Sequence, residues 1–69
     1  MTLSEFADFV NGISGERPSS MRLGQWAFCL LHESYPEIAK EIQFTNSDPF
    51  DHDKRMPVFL KRVLDFVTP

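Results

Sequence analysis

The residues best equipped for chemistry cluster in two places. His32-Glu33 has the first two positions of a zinc-protease His-Glu-x-x-His motif, but position 36 is Pro36, so the second histidine ligand is missing and the motif fails. Cys29 and His32, three residues apart on one helix face, are the pair a thiol nucleophile and its base would need. A chain of 69 residues leaves little room for an acyl-binding pocket beside them. The simpler expectation is a small packed cysteine next to a boundary histidine. The second cluster is Asp48, Asp51, His52 and Asp53, a dense set of oxygen and nitrogen ligands. It lacks the glycine and the closing glutamate of an EF-hand loop. The expectation is instead a turn at Asp48-Pro49-Phe50, with Asp48 and Asp53 bonding backbone N–H groups or pairing with Arg55. No Gly-rich phosphate loop and no Ser/His/Asp set is present. The sequence therefore predicts no catalytic residue, no metal site and no cofactor.

Charge is distributed unevenly. Residues 1–53 hold three Lys/Arg against nine Asp/Glu, a net −6, and residues 54–69 hold four against one, a net +3. Lys54, Arg55, Lys61 and Arg62 could contact phosphates. However, the overall charge is −3 and the pI about 5.1, far from the basic values of nucleic-acid binders. Glu37 and Glu41, on the outward side of the third expected helix, would repel DNA from a helix-turn-helix arrangement. Nucleic acid is thus an unfavoured partner, and a small nucleic-acid-binding regulator using the last helix is the second reading. The acidic set Glu5, Asp8, Glu16, Glu33, Glu37 and Glu41 offers a further one, occupation of a basic groove by mimicry of nucleic-acid charge.

The elements that must position these groups follow from hydrophobic spacing. Thr2-Leu3-Ser4-Glu5 has capping-box form and opens a helix over 2–13, with Leu3, Phe6, Val10 and Ile13 inward and Phe9 on the flank. A second helix is expected from Ser19 or Ser20 to about Glu33. Its apolar residues sweep most of the circumference, which marks a central helix. Gly24 lies within it, either to admit a close neighbour or simply tolerated. Ser34 and Glu37 suit a capping box for a third helix over 36–43, with Pro36 in its first turn. Residues 44–54 form a loop whose Phe44 and Phe50 both plug onto the core. A last helix over 55–67, capped by Asp53, carries the stripe Met56, Phe59, Leu60, Val63, Leu64 and Val67. No segment alternates with period two. The predicted fold is all-α, a single compact bundle of four helices around a central hydrophobic second helix.

Length limits stability. Folding should bury about 7,000 Å² and yield about 105 kcal/mol of apolar stabilisation, and ordering the chain costs about the same. A partner or dense aromatic packing would help. Nine residues are aromatic. Phe6, Trp26, Phe28, Tyr35, Phe44, Phe50 and Phe59 are assigned to the core, which leaves Phe9, Phe66 and the aliphatic Val58 as the apolar residues least firmly placed. One cysteine excludes an intrachain disulfide. No stretch approaches 18 apolar residues, and the acidic N-terminal segment does not resemble a signal peptide, so a cytoplasmic protein without a membrane partner is expected.

The ordered combination Arg22-Leu23-Gly24-Gln25, Leu30-Leu31, Pro36, Ala39, Ile42, Thr45, Asp48-Pro49-Phe50, Asp53, Arg55 and Phe59-Leu60 resembles a group of short proteins encoded in phage and bacterial genomes. That group has no established activity. The resemblance covers about residues 21–66 and implies a small accessory protein of a phage or other mobile element, with no catalytic residues to carry over. Together with the residue reading, it predicts a non-enzymatic module that binds or inhibits a host protein, or a homodimer. Phe9, Val58, Lys61, Arg62 and Phe66 are the candidate contacts. Val58→Glu and Phe66→Glu are both expected to weaken association while leaving helical circular dichroism intact.

Overall fold

The computed structural model describes residues 1–68. Among these, four helices form and no strand does: α1 Leu3–Ile13, α2 Leu23–Ser34, α3 Pro36–Ile42 and α4 Met56–Leu64, with a 3-10 turn Asp53–Arg55 leading into α4. The all-α bundle read from the sequence is therefore the fold. Its Cα radius of gyration is 11.0 Å, against about 11 Å for a folded chain of this length. The exposed surface of 4704 Å² is close to the ~4,500 Å² expected from mass.

Each boundary has a local cause. Thr2 caps α1 with the complete capping box: its hydroxyl accepts from the Glu5 N–H at 3.1 Å, and Glu5 Oε1 accepts from the Thr2 N–H at 2.8 Å. At the other end, Trp26 Nε1 donates to the Ile13 carbonyl at 3.2 Å and ties α2 to α1. The α2 helix starts at Leu23, three or four residues later than the apolar pattern implied. Residues 18–21 close a turn through the Met21 N–H to Pro18 carbonyl bond. Ser34 is the last residue of α2 rather than a cap, and the expected Ser34–Glu37 capping box does not form. Tyr35, at φ −138°, is the joint between α2 and α3, and Pro36 begins α3. The last helix stops at Leu64, short of the expected 67, because Asp65 to Thr68 turn back and the Thr68 N–H donates to the Met1 carbonyl at 2.8 Å.

The core is Phe9, Ile13, Ala27, Phe28, Leu31, Ala39, Ile42, Phe59 and Val63, with α2 packed against α1, α3 and the 3-10 turn. Phe9 corrects the sequence reading. It is 8% exposed, with its ring edge-on to Phe59 at 6.1 Å between centroids, so it is a core residue and not a contact candidate. Leu3, placed inward by periodicity, is 65% exposed.

Candidate interaction site

The 43–55 segment is built around one buried carboxylate. Asp48 Oδ2 accepts from the Phe44 N–H at 2.8 Å, and Asp48 Oδ1 accepts from the Phe50 N–H at 2.9 Å, an Asx turn. Arg55 Nη1 donates to the carbonyls of Asp48 and Thr45 at 3.3 and 3.5 Å and closes the loop from the α4 side. Phe50 packs inward, edge-on to Phe28 at 6.1 Å.

Phe44 does not plug the core, and here the sequence expectation is overturned. The chain leaves α3 through a four-residue turn from Ile42 to Thr45, closed by the Thr45 N–H to Ile42 carbonyl bond at 3.1 Å. Gln43 at φ −54°, ψ 134° and Phe44 at φ 66° occupy its central positions, the geometry of a type II turn. That geometry places glycine third, because a side chain at positive φ meets its own backbone. Phe44 takes the position nonetheless, and its side chain is 90% exposed. On one side lies a polar recess bounded by Thr45, Asp51, His52 and Arg55. On the other, a recess of about 240 Å³ lies between Phe28, Gln43 and Phe50. One sequence signal pointed to this. Phe44 lies two residues past the buried Ile42, half a helical turn off the inward stripe.

The groups singled out for chemistry are separately engaged. Asp53 Oδ1 accepts from the Gly24 N–H at 2.9 Å, Asp51 meets Arg22 at 3.4 Å, and Asp48 is bound as above. No group of three His, Cys, Asp or Glu side chains able to hold a metal ion occurs among the described residues. Cys29 is half-buried, and burial pushes its thiol above the ordinary value, away from the thiolate a nucleophile requires. His32 is exposed, and among the described residues no hydrogen bond joins the two.

The C-terminal candidates separate. Val58 is 51% exposed and Lys61 is exposed. Arg62 lies over the Phe66 ring at 4.7 Å and reaches Asp65 at 3.9 Å. Phe66 itself is half-buried against the core and forms one wall of a cleft of about 430 Å³ with Met1, Tyr35 and Ile38. With Arg55 bound to carbonyls and Arg62 stacked, the basic footprint read from the sequence contracts to Lys54 and Lys61.

No helix among the described residues is long and apolar enough to cross a membrane. No family model, curated protein or solved structure matches the chain, so the fold stands on the residues alone.

Proposed function

We propose that this chain is a non-enzymatic protein-interaction module, an accessory protein of phage or mobile-element type that binds or inhibits a host protein in the cytoplasm. The observation that carries this reading is the exposure of Phe44. A domain of 69 residues with a small core leaves a whole aromatic side chain in water, at a turn position that glycine would fill without strain. Exposed Val58 and Lys61 on α4 add a second patch of contact character. The engagement of Asp48, Asp51 and Asp53 in loop bonds, and the raised thiol of Cys29, weigh against metal-dependent and thiol chemistry.

Native mass spectrometry of the chain purified from its natural host tests the proposal. The expected result is one heterologous protein bound in fixed stoichiometry. Retention of DNA or RNA instead, weakening steeply with salt and lost in Lys61→Ala, would replace this reading with the nucleic-acid one. A chain bound to nothing would remove both.

A further inference from the structure

We infer that Phe44 is an anchor inserted into an apolar, ring-sized pocket of a partner protein whose rim carries Lys or Arg. This rests on the interaction reading above and extends it to the chemistry of the partner.

Three observations converge on this. Phe44 holds positive φ in a turn position made for glycine, so the fold carries strain to keep a phenyl ring there. The Asp48 carboxylate fixes the backbone on both sides of the ring, through the Phe44 and Phe50 N–H groups, so the ring projects from a preorganised base. With the backbone beneath it already fixed, insertion of the ring has only its two side-chain torsions left to order, which lowers the cost an interface anchor must meet. The recess beside it is lined by Phe28 and Phe50 together with Gln43, Asp48 and Asp51, so a partner meets aromatic surface edged by carboxylates.

Charge selects the rim. Residues 37–53 hold Glu37, Glu41, Asp48, Asp51 and Asp53 against Lys40 alone, a net −4. Counting Arg22 and Arg55, which reach into this loop, still leaves −2. Glu37 and Glu41 are exposed on the helix that delivers Phe44. A second copy docking through this same face would bring the same negative surface to the contact, and an anionic lipid surface would be repelled. A pocket with a basic rim is the complementary occupant.

Photocrosslinking in the natural host tests this, with p-benzoylphenylalanine replacing Phe44 in one variant and Val58 in another. The probe at 44 should label one heterologous protein at an apolar pocket flanked by Lys or Arg. With that partner purified, Phe44→Gly should weaken binding ~30-fold or more while circular dichroism is unchanged. Glu41→Lys should weaken it severalfold at low salt and little at high salt. Labelling of a second copy, of lipid, or of a pocket without a basic rim overturns the inference. Labelling from 58 but not from 44 also overturns it and leaves the interaction module standing. Labelling from neither position overturns both.

Discussion

Asp53 caps a helix that begins 30 residues earlier in the chain: its Oδ1 accepts the Gly24 N–H at 2.9 Å, at the open N-terminus of α2. Arg22, the residue in the capping position, makes no side-chain cap, so the cap is supplied across the fold. The contact exists because position 24 lacks a side chain. A Cβ there would overlap the Pro49 carbonyl and lie 3.0 Å from Asp53 Oδ1. Gly24→Ala should therefore destabilise by about 2–3 kcal/mol despite its better helix propensity, because backbone must move. Asp53→Ala should cost about 1 kcal/mol. Because alanine at 24 already displaces the loop, the double variant should cost less than the sum of the two, read from urea midpoints.

Asp48 joins the same loop to the core from the other side. Removing its carboxylate strands the Phe44 and Phe50 N–H groups in a partly buried site. Asp48→Ala should cost about 2–4 kcal/mol. Asp48→Asn keeps one acceptor oxygen but turns an amide donor toward the other N–H, and should fall about midway. If both variants melt with the wild type, the loop is held by something other than this carboxylate.

The pattern of these contacts explains what the sequence disclosed and what it hid. The α1 helix was legible because Thr2 and Glu5 satisfy each other within four residues. The central place of α2 was legible because Met21, Leu23, Trp26, Ala27, Phe28, Leu30 and Leu31 sweep most of its wheel and leave only a narrow polar wedge. Local rules failed wherever a distant group took over. Asp53 reads as the cap of the helix next after it, yet it caps α2. Ser34 and Glu37 read as a capping box, yet α2 runs through Ser34. Phe9 and Phe44 exchanged roles for different reasons, one distant and one local. Phe9 sits at the flank of its helix, but α4 brings Phe59 across to meet it. Phe44 looks too apolar to expose, but the Ile42–Thr45 turn rotates it away from Phe28 and Phe50. For the candidate site, the Asp48-Pro49-Phe50 turn was visible, whereas its exposed neighbour was marked only by its offset from the Ile42 stripe. The spacing of apolar residues reports helix faces and does not disclose the geometry of a turn.

Acid should act on α1 through Glu5. The backbone N–H of Thr2, then its hydroxyl, holds the Glu5 carboxyl below its ordinary value. A carboxylate with a lowered folded pKa adds stability above its unfolded value and loses it as pH falls through the folded one. Wild type should therefore exceed Glu5→Gln in melting temperature near neutral pH, and the gap should close as pH drops below about 4. The group is fully exposed, so the gap should be small and reduced by salt. A gap that widens on acidification would contradict the capping-box origin.

Val58 and Phe66, alike as candidate contacts, should respond differently to glutamate. Val58 is half in solvent on the outer side of α4, and Val58→Glu should change stability by no more than about 0.5 kcal/mol. Phe66 packs against the core under the Arg62 guanidinium, so Phe66→Glu should cost about 1–2 kcal/mol. Lost binding in Phe66→Glu then has to be compared at equal folded fraction, whereas lost binding in Val58→Glu reports contact directly.

Phe44→Gly carries the sign that separates a structural from an interacting residue. Relief of positive φ should return about 1–2 kcal/mol, and the added backbone freedom of glycine in the unfolded chain takes back about 0.5–1. The ring itself contributes almost no burial to offset this, being 90% exposed. The variant should therefore melt at or above the wild-type temperature, by up to about 10 °C for a domain of this size. Phe44→Ala keeps the Cβ and most of the strain and should melt near the wild type. A residue retained for folding would show the opposite order, with glycine the least stable of the three. Equal or greater stability on losing the ring means that the turn holds strain for something outside the fold, and contact with a partner is the use an exposed ring has.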